Sequence, residues 1–280
     1  MQSLEFIYNR ILDCIAVLGY ISYSITFFVI VRYTPKNMKN FSRLLLNIFA
    51  WNSAVNVLWS LIHPFPLMPL SCFRMDGLLS VWIDSELVGH LALLLSFLVL
   101  SNVATGLFLS FQFRYMAIVG SKWSSRLSGR WAYVYSACLH GVFSAICGWT
   151  YSTWAVYTEN YPSAVCGLSI RFITFIVTAL MIFVALSYCE LNKNSRMVAE
   201  KTLKMQRTLL WNLIVLSGVP IFMGGIPFLL IALGLVEHQL WFAQHMLIGC
   251  IPIIIGYGPV MCVACLLMFK VYREAVLSQL

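Results

Sequence analysis

Seven long apolar runs follow one another along the chain and constrain its fold more than any other feature. An α-helix needs roughly 20 apolar residues to cross the hydrocarbon core of a bilayer, and it satisfies its backbone hydrogen bonds internally. The runs cover residues 11–31, 44–63, 87–111, 131–151, 170–189, 208–234 and 240–269. The sequence therefore predicts an all-α membrane protein, a seven-transmembrane helix bundle that forms one domain over residues 1–280.

The composition agrees with burial in lipid. Only 10% of the 280 residues are charged and 61% are hydrophobic, whereas a soluble domain is about 25% charged. The net charge is +8, but the basic residues lie in short gaps between the apolar runs, which argues against nucleic acid as a partner. Glu5 and the lack of a basic cluster before the first run are not typical of a cleaved signal peptide, so this run is predicted to remain as a span.

The basic residues predict the orientation of the bundle. Lys and Arg accumulate in the cytosolic loops of membrane proteins. Here all 18 except Arg10, Arg74 and Arg171 fall in the gaps after the first, third, fifth and seventh runs. These gaps are therefore predicted to be cytosolic, and the N-terminus is predicted to lie outside.

The sixth run contains two prolines, Pro220 and Pro227, on either side of Gly224 and Gly225. A proline inside a helix removes a backbone hydrogen bond and clashes with the preceding turn, so the sixth span is predicted to kink. Such a kink is predicted to act as a hinge for the cytosolic half of the helix. Proline and glycine are also common in membrane helices generally.

Polar and aromatic residues near the predicted outer ends of the spans are candidate ligand contacts, since polar groups inside a membrane are costly. The candidates are Glu86, His90, Phe172, Trp241 and His245. A histidine in the hydrated interface is an equally good explanation of the two imidazoles.

Three asparagines lie in the second run at positions 47, 52 and 56. Their simplest interpretation is hydrogen bonding between neighbouring helices.

The third run ends in Phe111–Tyr115, with the sequence FQFRY. The Arg114-Tyr115 pair resembles the arginine motif of G-protein-coupled receptors, which lies where the G protein binds. Phe113 occupies the place of the acidic neighbour, so the usual ionic lock is not available, and an anchor in the membrane interface is the alternative. Further basic candidates for the same face precede the sixth run, at Lys201, Lys204 and Arg207.

Two of the nine cysteines, Cys72 and Cys166, fall in predicted outer gaps. The outer compartment is oxidising, so a disulfide between them is chemically permitted. It would resemble the bridge that is common in G-protein-coupled receptors.

Several other classes of membrane protein fit less well. The seventh run contains no lysine that could carry retinal, and channels of the insect odorant-receptor type have the opposite orientation. The five histidines are scattered and none is paired as HxxxH, so neither a metal site nor an enzyme is predicted, and no cofactor is implied. A multi-pass transporter or channel for a small solute remains the alternative to a receptor.

Several segments carry a family resemblance: Tyr33–Met38 (YTPKNM), the following LLLN of residues 44–47, the proline-spaced run 64–69, KTLKMQ at 201–206, and Tyr272-Arg273. Together they resemble the nematode serpentine chemoreceptors of the Str superfamily, especially its Srh and Sri classes. The resemblance implies a receptor in the plasma membrane of sensory neurons, expected in cilia. It would bind a small environmental chemical or metabolite and signal to a heterotrimeric G protein.

Overall fold

The computed structural model describes residues 2–35, 38–67, 72–82, 85–119, 130–154, 200–236 and 242–278. Most of these residues are helical, and six of the seven predicted spans coincide with helices. The fifth span, 170–189, lies outside the described residues. The helices are α1 Gln2–Tyr33, α2 Lys39–Ile62, α3 Glu86–Val119, α4 Arg130–Trp154, α5 Glu200–Pro220, α6 Ile226–Val236, α7 Ala243–Met268 and α8 Lys270–Leu277.

Among the residues that the structure describes, five helical stretches are long and apolar enough to cross a membrane. They are Ser3–Tyr33, Lys39–Ile62, Glu86–Phe113, Thr208–Ile231 and Ala243–Met268. The helix α4 has a similar length, 25 residues, but is less apolar than these five. Large apolar side chains such as Phe28, Trp149 and Val263 are exposed on the outside of the bundle, as expected where the solvent is lipid.

A short β-hairpin separates α2 from α3 and was not predicted from the sequence. Its strands, β1 Pro64–Leu67 and β2 Cys72–Met75, pair antiparallel with Pro64 opposite Met75. Proline lacks an N–H and normally weakens a strand, but Pro64 and Pro66 are two residues apart and face the same edge, so the ladder survives. A 3₁₀ turn, Leu78–Trp82, leads on to α3.

Most helices pack on their neighbours in sequence, and the first helix also packs on the seventh. The helix α1 packs against α2 and α7, α3 lies against both α2 and α4, and α5 and α6 pack against α7. Naming the two ends by the predicted orientation, one buried cluster lies at the cytosolic end, around Leu45, Phe111 and Tyr272. A second lies at the outer end, around Tyr8 and Ile251.

A π-helical segment, Ile221–Gly225, joins α5 to α6. The Ile226 N–H bonds to the carbonyl of Ile221, five residues back instead of four. Pro227 has no N–H to give to the carbonyl four residues before it, which favours this wider turn. The sixth span is therefore interrupted between its two prolines, at the place where the sequence predicts a kink.

Candidate functional site

Two of the predicted ligand contacts lie together at the outer end of α3. Glu86 is the first residue of this helix and His90 follows one turn later, with 3.9 Å between Glu86 Oε1 and His90 Nε2. The partner that the sequence did not indicate is Tyr151, near the end of α4. The Tyr151 hydroxyl donates its single proton to the His90 carbonyl oxygen at 3.1 Å. The same hydroxyl oxygen therefore acts as the acceptor for His90 Nδ1, which lies 2.9 Å away.

A row of aromatic rings continues from this group toward the sixth span. The Phe97 ring lies 6.0 Å from that of Tyr151 and 6.2 Å, edge to face, from that of Phe228. His90 and Phe97 are two turns apart and share one face of α3. Phe228 immediately follows Pro227 in the first turn of α6. We call Glu86, His90, Phe97, Tyr151 and Phe228 the outer aromatic group; it connects α3, α4 and α6.

The remaining predicted contacts lie elsewhere. His245 is in the first turn of α7 and is exposed, on the same side of the helix as the exposed Val263 and Leu267. The buried face of α7, which carries Leu247 and Cys250, is on the opposite side. The structure therefore turns His245 away from the bundle core. Phe172 and Trp241 lie outside the described residues.

Sequence reasoning could have found Tyr151 from the topology. Successive spans are antiparallel, so the beginning of the third span and the end of the fourth lie at the same depth. A phenol at one of these ends is a natural partner for an imidazole at the other. The contact of Phe97 with Phe228 carries no comparable signal, because it depends on which faces of α3 and α6 meet.

A partly buried polar network joins α2, α3 and α4 in the middle of the bundle. Asn47 Nδ2 lies 3.1 Å from His140 Nε2, and His140 Nδ1 lies 2.5 Å from Asn102 Oδ1. Since an amide nitrogen can only donate, Nε2 must accept and Nδ1 carries the proton. Asn102 also donates to Ser144 Oγ at 2.9 Å. His140 is therefore neutral and fully used in holding three helices together.

The predicted role of the asparagines in joining helices is confirmed for two of the three. Asn47 reaches His140 on α4, and Asn56 donates to the Ala16 carbonyl of α1 at 3.1 Å. Asn52 donates to the Ile48 carbonyl of its own helix at 3.0 Å.

Charged residues hold the hairpin to the outer end of α1. The Arg74 guanidinium donates two hydrogen bonds to Asp76, at 2.6 and 2.8 Å. It also forms an ion pair with Glu5 of α1. The guanidinium carbon lies 5.4 Å from the centre of the Phe65 ring. The hydrogen bonds with Asp76 and Glu5 raise the pKa of Arg74. On the other side, Gln244 of α7 donates to the Pro66 carbonyl at 2.6 Å. The hairpin thus bridges α1 and α7.

At the cytosolic end, two of the segments that carry the family resemblance meet. The Tyr272 hydroxyl of α8 lies 3.0 Å from Thr34 Oγ1, in the YTPKNM stretch. Tyr272 is fully buried, and this burial raises the pKa of its phenol. The Phe269 ring contacts both Tyr272, at 5.7 Å, and Phe41, at 5.4 Å. These contacts fix α8 against the ends of α1 and α2.

The predicted coupling residues border the same end of the bundle. Arg114 and Tyr115 lie on α3, and Lys201, Lys204 and Arg207 lie on α5; of these five side chains only that of Tyr115 is described. Phe113 packs edge to face on the Tyr135 ring of α4, with 6.1 Å between the ring centres. An apolar contact with α4 therefore stands where an ionic lock would be.

The predicted disulfide lies only partly within the described residues. Cys72 is in β2, opposite Leu67, and Cys166 lies outside the described residues. Within the part of the chain that is described, no three His, Cys, Asp or Glu side chains form a group that could hold a metal ion.

The apolar helices define a multi-pass helical membrane protein. A sequence model of the family described as "Serpentine type 7TM GPCR chemoreceptor Srh" matches residues 3–155 and 148–280. The chain belongs to this family of seven-transmembrane, G-protein-coupled chemoreceptors, which confirms the membership predicted from its motifs. It is a family of receptors and not a known enzyme family. Among curated proteins, none matches the chain.

Proposed function

We propose that this chain binds a small environmental chemical within the outer half of its helix bundle and signals to a heterotrimeric G protein. The family membership supports the class of receptor. The observation that supports the position of the site is the outer aromatic group, since it links the outer end of α3 with the first turn of α6. The bilayer would be the plasma membrane, with the N-terminus outside and, by family resemblance, in sensory cilia.

The chemistry of the outer aromatic group suits a small ligand with an apolar body and one polar group. The Phe97, Tyr151 and Phe228 rings offer apolar surface, while Glu86 and His90 offer a carboxylate and an imidazole within 3.9 Å of each other. Ligand sites commonly combine apolar walls with a few polar groups that fix orientation. Phe172 and Trp241 remain predicted contacts of the same site. We leave His245 out of it because its side chain lies on the exposed face of α7.

Phe228 supplies the route from the ligand to the cytosolic face. It lies next to Pro227 and three residues after the π-helical segment. A ligand that packs on Phe228 would favour one arrangement of this break, but only by its difference in affinity between the two arrangements. On the other side of the break, Asn212 of α5 donates a hydrogen bond of 3.3 Å to the Met268 carbonyl. Met268 is the last residue of α7, just before α8 begins.

Release of this contact would let the cytosolic half of the sixth span move away from α8. The opened cleft would be bordered by the candidate G-protein contacts, which are Arg114, Tyr115, Lys201, Lys204 and Arg207. Their basic character suits a partner with acidic groups on its docking surface.

The test is a cell that expresses the chain with a calcium or cyclic-nucleotide reporter and is exposed to small metabolites and volatile compounds. We expect a response that disappears when the G protein is inhibited. With an active compound, His90→Ala should raise the half-maximal concentration about tenfold or more, the effect of one lost hydrogen bond to a polar ligand group. Tyr151→Phe should have a smaller effect in the same direction.

His245→Ala is the matched control, since it removes an imidazole at the same end of the bundle but on an exposed face. It should leave the response unchanged. Equal responses of the His90→Ala and wild-type receptors, at equal surface expression, would show that the ligand binds elsewhere. A response that persists without any G protein would favour the channel or transporter alternative.

A further inference from the structure

His63 occupies an unusual position at the outer end of α2. It caps this helix with φ 39° and ψ 70°, a left-handed conformation, and is the only residue other than glycine with positive φ among those described. Such a conformation costs energy in most residues, although His, Asn and Asp adopt it more readily. The backbone is held on both sides, because His63 N–H donates to the Trp59 carbonyl and Asp76 N–H donates to the His63 carbonyl, each at 3.1 Å.

The side chain of His63 is buried, with 6% of the residue exposed. Its Nε2 atom has no hydrogen-bond partner among the described residues. Asp13 Oδ1 of α1 lies 3.7 Å from Nε2, which is too long for a hydrogen bond but within reach of an ion pair. A buried nitrogen without a partner is uncommon in folded proteins and calls for an explanation.

The charges around this imidazole come from two elements. On α1, Asp13 faces Nε2, and Arg10 binds Asp13 with 2.9 Å between Nη1 and Oδ2. On the hairpin side, Asp76 follows β2 and is bound by Arg74, which also pairs with Glu5. On α2 itself, the carbonyl of the neutral Trp59 accepts the His63 N–H. Both of these described carboxylates therefore already have an arginine partner.

We propose that His63 is a proton-binding site, through which acidity on the outer side of the membrane loosens the junction of α1, α2 and the hairpin. Protonation would place a positive charge in a buried position where the two nearby described carboxylates, Asp13 and Asp76, are already shared with Arg10 and Arg74. The charged imidazole would be better solvated in an arrangement in which the end of α2 and the hairpin open toward water. The site is separate from the outer aromatic group and does not depend on the identity of a ligand.

The direction of the pH effect follows from the same geometry. Burial lowers the pKa of His63; Asp13 and Asp76 oppose this shift, and Arg10 adds to it. A histidine with a lowered pKa stabilises the folded arrangement only while it is neutral. This stabilisation is complete above the ordinary histidine pKa of about 6.5, and it is lost as the pH falls through the lowered value. Acid should therefore weaken the junction.

The test compares the full chain, in lipid nanodiscs of fixed composition, with the variant His63→Asn. Asparagine also accepts the left-handed conformation but does not titrate between pH 5 and 8. The apparent Tm, read from tryptophan fluorescence at one heating rate, should fall between pH 7.5 and 5.5 by a few degrees more in the wild type than in His63→Asn. His245→Asn, which removes an exposed histidine, should keep the wild-type pH dependence.

A second variant keeps the histidine and changes its neighbour. Asp13→Asn removes the main group that opposes the lowering of the pKa, so the acid-induced loss of Tm should become larger and extend to lower pH. This arm decides the question if His63→Asn does not fold. The proposal is overturned if His63→Asn shows the same pH dependence as the wild type, or if Asp13→Asn leaves that dependence unchanged or reduces it.

Discussion

The contact between Gly258 of α7 and Tyr23 of α1 offers the sharpest test of the packing. A Cβ atom added to Gly258 would overlap the Tyr23 hydroxyl oxygen and lie 3.0 Å from Cζ. Tyr23 is only 3% exposed, so its ring cannot move aside without disturbing the interface between the two helices. The substitution Gly258→Ala should therefore force α1 and α7 apart.

The size of this effect is measured against Gly249→Ala in the same helix. No atom lies within 4 Å of a Cβ at Gly249, apart from its immediate helical surroundings. Both substitutions gain about 1 kcal/mol of helix propensity, so their difference reports the overlap alone. Overpacking of this kind costs about 1–3 kcal/mol, which in a chain of this size corresponds to a difference in Tm of roughly 3–9 °C.

The assay is thermal unfolding of the two variants in nanodiscs, followed by a double-mutant cycle with Tyr23→Phe. Removing the hydroxyl deletes the overlapping atom and leaves the nearest ring atom at 3.0 Å, so Gly258→Ala should cost less in the Tyr23→Phe background. The cycle should give a coupling energy of about 0.5–3 kcal/mol. Equal Tm values for Gly258→Ala and Gly249→Ala would refute the packing of α1 on α7 described above.

Two further substitutions test the polar contacts. Asn102→Leu removes the acceptor of the His140 Nδ1 proton. It should lower the stability in nanodiscs by about 1–3 kcal/mol, because a partly buried donor loses its partner. The control Asn52→Leu loses only a hydrogen bond within its own helix and should cost less. Tyr272→Phe removes the hydrogen bond to Thr34 and should cost about 1 kcal/mol. Thr34→Val should then cost less in the Tyr272→Phe background than alone, and equal costs in both backgrounds would contradict the contact.

The positions of the described long helices could be predicted because lipid demands long apolar runs, and the break between α5 and α6 because proline cannot donate a backbone hydrogen bond. The orientation of side chains around the helices could not. In a soluble helix the apolar face is the buried face, but α7 is apolar on nearly every side. The sequence therefore does not distinguish Leu247, which is buried, from Val263, which is exposed. His245 was predicted as a ligand contact from its depth near the outer end of the seventh span, and the sequence does not show on which side of α7 it lies.

The hairpin and the His140 network were missed for different physical reasons. Pro64 and Pro66 argue against a strand unless their spacing is taken into account, and their pairing partners, Met75 and Phe73, are 11 and 7 residues further along the chain. His140 is a single imidazole in α4, and its role depends on α2 and α3 both lying beside it. Nothing in the sequence indicates that Asn47 of α2 and Asn102 of α3 lie on the sides of their helices that face α4.

The distribution of polar contacts separates a fixed part of the bundle from a part that is free to shift. Hydrogen bonds are directional, and those of Asn56 with Ala16, of Asn47 with His140, and of Asn102 with Ser144 fix the register of α1 to α4. The helix α6, IPFLLIALGLV, has no side chain that can form a hydrogen bond. Its packing on α7 and against Phe97 is apolar, and such contacts let a helix slide or rotate without leaving a polar group unpaired. Since α6 is also joined to α5 through the π-helical segment, we expect ligand-dependent movement to begin there.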